Sequence, residues 1–294
     1  MKKIDLTNNK ILYMIPVLIW GSTWLVITFQ LGKVEPLVSV VYRFFLASVI
    51  LLLFLKIKGS NLRFMVKEHL LFVLLGLLLF GINYWVVYVA EEVITSGLVA
   101  IIFSSIVFFN SLNGKIFLGL RMNVKVIVGG FLGMAGIALI FLNELILLKL
   151  DKSTIIAYIL SFTGAYVASM GNVLSFNIQK KKIPALQATA FGMFYGSLLM
   201  FFMVLILGKQ INFDLSLKYI SSLLYLSVFG SIIAFSAYLT LIGRIGADKA
   251  ANVILAAPVF AMILSTVFEN YTFTLLTAAG ILLVLYGNYI ALKK

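Results

Sequence analysis

Apolar residues in this chain fall into long, nearly uninterrupted runs, separated by short clusters of charged residues, Gly and Pro. A helix rises about 1.5 Å per residue, so roughly 20 apolar residues carry it across the hydrocarbon core of a bilayer. Cutting the chain at its polar breaks predicts ten spans, at residues 11–29, 37–55, 70–89, 97–113, 124–142, 154–174, 186–207, 219–241, 250–268 and 273–291. The runs lack the period-two alternation over about ten residues that marks a membrane β-barrel strand. The fold class is therefore read as all-α integral membrane. The polar residues Met1 to Lys10 lead into a full-length apolar segment without a small-residue cleavage site, so no removable signal peptide is expected.

Composition narrows the function classes. Of 294 residues, 63% are apolar and 11% charged, whereas soluble domains carry about 25% charged residues. A soluble enzyme is excluded, and any function must sit within the membrane. The net charge of +13 would raise nucleic-acid binding in a soluble domain, but here the charges cap apolar runs and form no continuous face, so no nucleic-acid partner is expected. Their placement reads as topology. With the N-terminus inside, seventeen of the 23 basic residues fall in the inner segments and five in the outer ones, with Arg43 inside a span. The positive-inside rule then places both termini in the cytoplasm, and the expected location is a bacterial cytoplasmic (inner) membrane. The absence of cysteine excludes disulfides, thiolate metal sites and thiol nucleophiles.

The two halves repeat each other. Glu35-Pro36 before the second span is answered by Ile183-Pro184 before the seventh, and Phe80-Gly81 by Phe229-Gly230. Val107-Phe108-Phe109 is answered by Val259-Phe260-Ala261, and the Gly129/Gly136 pair by Gly280/Gly287, at offsets of 148, 149, 152 and 151 in order. Each half, 11–142 and 154–291, holds five spans. An odd number forces the second copy to insert upside down, and inverted repeats with a midplane site between them are a transporter architecture.

The chain at this point resembles the drug/metabolite transporter superfamily with two EamA domains. The residues that carry the resemblance are Trp20-Gly21-Ser22-Thr23, Glu35-Pro36 followed by Arg43-Phe44-Phe45-Leu46-Ala47, and Thr95-Ser96-Gly97-Leu98. In the second half they are Ile242-Gly243, Gly246-Ala247, Pro258-Val259-Phe260, Glu269 and the Gly280/Gly287 helix. Two positions depart from the family pattern: Leu120 stands where a Glu is frequent, and Ile106 replaces a Pro. The resemblance implies a ten-helix carrier whose central cavity is lined by helices other than the fifth and tenth, with halves made unequal by the lost Glu.

Candidate substrate-binding residues are the polar and aromatic groups at membrane depth. Arg43 must offset its insertion cost with a partner or a wet cavity, as a solute contact or as a tie between helices. Trp20 and Trp24 lie one helical turn apart near mid-bilayer and offer stacking and cation–π surface, or else pack between helices. Asn83 and Tyr84 lie at a depth similar to Arg43, Ser104 and Ser105 at the centre of the fourth span, and Tyr166, Tyr195 and Ser231 near the centres of the sixth, seventh and eighth. Each can be interhelical glue or a ligand contact. Pro258 frees the carbonyl of Ile254 and marks a kink or gate. Glu91-Glu92 reads as a solvated turn and the single His69 as a loop residue. Glu269 is the lone candidate coupling carboxylate, at or beyond the outer end of the ninth span. The Asn270-Tyr271-Thr272 sequon carries meaning only in a glycosylating compartment. The GxxxG pairs Gly129-to-Gly133 and Gly192-to-Gly196 are read as close contacts within the molecule, which is expected to be a monomer or weak homodimer.

Neither a P-loop nor a His/carboxylate cluster is found, so the expectation is no enzyme, no ATP motor, no metal and no cofactor. The expected partners are the lipid bilayer and a small organic solute, an amino acid or related zwitterion moved outward. An organic-cation or drug carrier is the alternative, with a lipid flippase or channel-like pore behind it.

Overall fold

A computed structural model of the chain describes residues 8–146, 151–268 and 274–293, and no strand occurs among them. The helices are α1 (Asn9–Thr28), α2 (Pro36–Ile57), α3 (Val66–Glu91), α4 in two halves (Ser96–Phe103 and Ile106–Leu118) and α5 (Val124–Ile140). They continue as α6 (Lys152–Lys180), α7 (Ala185–Ile206), α8 (Leu217–Ile245), α9 (Asn252–Phe268) and α10 (Leu275–Leu292). Among the described residues eight of these helices are long and apolar enough to cross a membrane, and α5 is a shorter apolar helix. Glu269 and the Asn270-Tyr271-Thr272 sequon lie outside the described residues.

The polar breaks that separate the apolar runs also start the helices. Asn8, Thr95, Asn123, Asp151, Ser216 and Thr274 each accept a backbone N–H of the following first turn, and Pro36 opens α2 where its missing N–H costs nothing. Gly119, at φ +63°, ends α4 in the left-handed conformation that a glycine adopts without strain. Several helices outrun their predicted ends, among them α4, which runs to Leu118, and α8, which reaches Ile245. α3 begins at Val66, which puts His69 inside a helix, and α6 extends to Lys180, held there by Gln179 Nε2 donating to the Leu239 carbonyl at 2.7 Å.

Helices in lipid gain little from burying apolar surface against each other, so small residues that permit close approach decide the packing. α5 and α10 pack on one another through Gly136 and Gly280 at one end and Gly129 and Gly287 at the other. A Cβ on Gly280 would stand 2.6 Å from the Gly136 carbonyl oxygen, and one on Gly287 2.5 Å from that of Gly129. The crossing is antiparallel, so each glycine of one sequence pair meets the opposite member of the other, Gly129 with Gly287 and Gly136 with Gly280.

A second matched feature lies in α3 and α8. Both widen to i→i+5 hydrogen bonding, over Gly76–Ile82 and Leu226–Ile233. Wide turns of this kind displace side chains and recur at functional sites. At the first, Gly76 meets Gly192 and Gly196 of α7 so closely that a Cβ on Gly196 would fall 2.7 Å from the Gly76 carbonyl oxygen. At the second, Ser227 Oγ donates to the Arg43 carbonyl of α2 at 3.1 Å. The resulting bundle embeds polar groups in an apolar core and is apolar outside. Arg43, Asn83, Asn110, Asn113 and Asn172 are buried, while Phe131, Phe202, Leu282 and Tyr286 are exposed, as expected of a surface that faces acyl chains.

Candidate functional site

A cavity of about 60 Å³ lies at the centre of the bundle. Trp20, Thr23 and Ile27 of α1 line it with Asn83 and Tyr84 of α3 and with Phe103 and Ile106, which flank the Ser104-Ser105 break in α4. From the other half come Ala168 and Asn172 of α6, Phe235 and Tyr238 of α8, and Ile254 and Ala257 of α9. The lining therefore takes the first, third and fourth helices of each half. Among the described residues none of the lining comes from α5 or α10, the arrangement that the family resemblance implies.

The wall is mainly aromatic. The Trp20 ring meets Phe235 and Tyr238 edge-on, each at 5.0 Å between centroids. Its Nε1–H donates at 3.1 Å to the carbonyl of Gly230 in the widened turn of α8. Two amides complete the lining. Asn83 donates through Nδ2 to the Leu79 carbonyl at 3.3 Å, and Asn172 donates through Nδ2 to the Tyr238 hydroxyl at 3.1 Å and to Asn110 Oδ1 at 3.4 Å. The carbonyl oxygens of both amides, Asn83 Oδ1 and Asn172 Oδ1, are buried and have no hydrogen-bond partner.

Polar seals lie at both ends. Asn110 also donates to the Ala247 carbonyl at 2.8 Å, so the Asn110–Asn172–Tyr238 bridge ties α4, α6 and α8 beneath the cavity. Beyond it a wider cleft of about 440 Å³ is lined by Asn110, Ser111, Arg121, Lys180, Arg244 and Asp248, among others. At the opposite end Arg43 donates through Nη1 to the Tyr88 hydroxyl at 3.2 Å, Tyr88 donates to Gln30 Oε1 at 3.5 Å, and Gln30 reaches Ser222 of α8 at 3.4 Å. Loop ties close over this end, with Lys33 to Asp214 at 3.5 Å and Lys209 to Glu35 at 3.1 Å. The Ser216 amide donates to Asp214, and with Lys33 nearby these contacts hold its carboxyl below the usual carboxylate range.

The residues expected from sequence divide accordingly. Trp20, Asn83 and Tyr84 share the cavity. The Trp24 side chain lies outside the described ones. Arg43 is fully buried but stands behind Tyr84, its Cζ 4.7 Å from that ring centroid, with Nε donating to Ser231 Oγ at 2.9 Å. Neither Arg43 nor Ser231 lines the cavity. Ser104 donates back to the Ile101 carbonyl and marks the break between the halves of α4. Ser105 is buried beside it, its hydroxyl without a hydrogen-bond partner. Tyr166 is 37% exposed, with its edge on Phe109. Tyr195 bonds His69 Nδ1 at 2.9 Å in a separate aromatic cluster with Phe64, Phe72 and Phe191. Pro258 sits within α9, and Ile254, whose carbonyl its missing N–H releases, lines the cavity.

Asn110, Asn172, Phe235 and Tyr238 were missed. A mid-span Asn is costly in lipid, and that signal, read for Asn83, applies equally to Asn110 and Asn172. Glu91 requires correction. It ends α3 and is buried, with both carboxylate oxygens unpartnered, because the helix continues to Glu91 instead of turning into solvent before it.

Comparison with known proteins agrees with this architecture. The model of the EamA-like transporter family matches residues 10–142 and again 155–293. The chain is 30% identical over 251 residues to the uncharacterized inner membrane transporter YedA of Escherichia coli (strain K12), covering 85% of this chain and 79% of that protein. It is 24% identical to the uncharacterized transporter YoaV of Bacillus subtilis (strain 168), over 92% of each. A protein of known crystal structure shares the fold with a TM-score of 0.78 at 16% identity, covering 97% of this chain and 96% of that one.

Proposed function

Since the chain belongs to the EamA-like transporter family, we propose that it is a secondary carrier which moves small organic metabolites across the bacterial inner membrane by alternating access. The transporter class follows from the family; the substrate, mechanism and direction are our reading. Two inverted five-helix repeats, 11–142 and 154–291, rock about the central cavity, with ten spans and both termini in the cytoplasm. α5 and α9, at 17 residues each, are at the short end of what spans a bilayer, and α5 lies along the spanning helix α10. The observation that carries the reading is the symmetric lining. Three helices from each half surround one cavity, between a polar bridge at the basic end and a tied network at the other.

The solute is an amino acid or a related amine-bearing metabolite, moved outward down its own gradient, and the working unit is a monomer. Because the chain has no cysteine, single cysteines report access without background. A membrane-impermeant maleimide should reach Ser111→Cys only from the cytoplasm and Asn212→Cys only from outside. It should reach Thr23→Cys from either side in turn, with the balance shifted by solute. Labelling of Thr23→Cys from one face under every condition would contradict alternating access.

A further inference from the structure

The central cavity holds an imbalance in hydrogen-bonding groups. In its lining, Trp20 Nε1–H is engaged by the Gly230 carbonyl and the Thr23 hydroxyl by the Trp20 carbonyl at 3.1 Å, and the Asn83 and Asn172 amides each donate to a protein acceptor. Its unpartnered polar atoms are both acceptors, Asn83 Oδ1 on α3 and Asn172 Oδ1 on α6. The two residues are 4% and 1% exposed and line the same cavity from opposite halves of the molecule. Buried acceptors are nearly always satisfied, and leaving one unmade costs a substantial part of its desolvation. The remaining wall is ring surface from Trp20, Tyr84, Phe103, Phe235 and Tyr238, whose negative faces attract a cation and repel an anion. Among the described residues no ionised side chain lines it; the buried Arg43 has its guanidinium turned to Ser231, Tyr88 and the Tyr84 ring.

We propose that Asn83 and Asn172 are the specificity-determining residues of the carrier, and that their side-chain oxygens take the N–H donors of a protonated amine head whose apolar or aromatic body packs on the ring wall. This deepens the transporter reading and rests on it. It also assigns a role in the cycle to the Asn110–Asn172–Tyr238 bridge. Asn172 lines the cavity while its Nδ2 holds the seal beneath, so a solute that draws on its oxygen acts on the group that ties the basic end. A carboxylate head brings only acceptors, which neither unpartnered amide oxygen can use.

The test compares two isosteric probes, 2-phenylethylamine and phenylacetate, by quenching of intrinsic tryptophan fluorescence in the purified, detergent-solubilised chain, where Trp20 is the reporter in the wall. The amine should saturate, and phenylacetate should bind at least tenfold more weakly. Asn83→Leu and Asn172→Leu should each weaken the amine by about tenfold or more, the loss expected for a hydrogen bond to a charged donor. Asn83→Asp and Asn172→Asp, which keep the acceptor, should retain or tighten it. Thermal unfolding of each variant identifies any that fails to fold, and the Asp variants then decide. Equal or tighter binding of phenylacetate, binding of neither probe, or unchanged amine affinity in folded Leu variants would overturn the assignment. Flux into liposomes is scored separately. Asn-dependent amine binding without flux of any solute would sink the carrier reading and leave the site standing, whereas flux of solutes with no dependence on either Asn would do the reverse.

Discussion

Replacing Arg43 separates a structural tie from a solute contact. In Arg43→Met the chain length is kept and the guanidinium removed, which deletes the bonds to Ser231 at 2.9 Å and Tyr88 at 3.2 Å together with the contact over Tyr84 at 4.7 Å. A hydrogen bond to a charged group contributes about 1.5–3 kcal/mol and a desolvated cation–π contact about 2 kcal/mol. Relief from burying an ion offsets part of this, leaving a net loss of about 2–4 kcal/mol. Thermal unfolding in detergent should therefore move down by several degrees. A double-mutant cycle with Ser231→Ala should give a coupling of about 1.5–3 kcal/mol, because the single changes remove the same bond. Amine affinity in the folded fraction should stay within about threefold, the shift left by a change under 1 kcal/mol. Unchanged stability with lost binding would refute the reasoning and return Arg43 to the solute site.

Three further outcomes follow from the packing and the caps. Gly136→Leu should destabilise the chain by several kcal/mol, since its side chain must displace the Gly280 backbone and Val284; Leu282→Ala, exposed on the neighbouring helix, should change the melting temperature by little. Tyr238→Phe removes the hydroxyl that Asn172 donates to and should speed maleimide labelling of Ser111→Cys, whereas an unchanged rate would mean the bridge does not hold that end. Asp151 is held at about 2 by the Ser153 hydroxyl and the Thr154 amide, below its unfolded value of about 3.9. A depressed carboxylate lends its cap in full above the unfolded value and loses it as pH falls through the folded one. Protection of the Thr154 amide from exchange should accordingly drop between about pH 4 and pH 2, and Asp151→Asn should flatten that dependence.

Much of this molecule is legible from hydrophobic run length and repetition, because lipid leaves a chain few choices. Every backbone group in the hydrocarbon must be paired within its own helix, so apolar runs become helices and their polar breaks become caps such as Asp151 and Ser216. Gly129, Gly133 and Gly136, with Gly280 and Gly287, are legible as small-residue positions and a repeat, but that α5 and α10 pack on one another is seen only in the fold. Side-chain direction was less accessible. Arg43 and Asn83 lie at similar depth, yet one turns behind Tyr84 and the other into the cavity, and the widened turns of α3 and α8 shift the helical phase between them in a way that a constant 3.6-residue period does not carry. Asn110 and Asn172 are joined only by the tertiary fold. Glu91 was misread because acidic pairs at the end of an apolar run usually face water, and here the helix continues to bury the first of them.

The central claim, a carrier rather than a pore, is tested most directly by counterflow. Liposomes containing the purified chain are preloaded with unlabelled aromatic amino acid and diluted into a trace of the same radiolabelled compound. Alternating access at one saturable site predicts a transient accumulation of tracer above its equilibrium level, present without ATP or an imposed pH gradient and reduced in Asn83→Leu. A monotonic approach to equilibrium, linear in concentration and without overshoot for every amino acid tried, would contradict it.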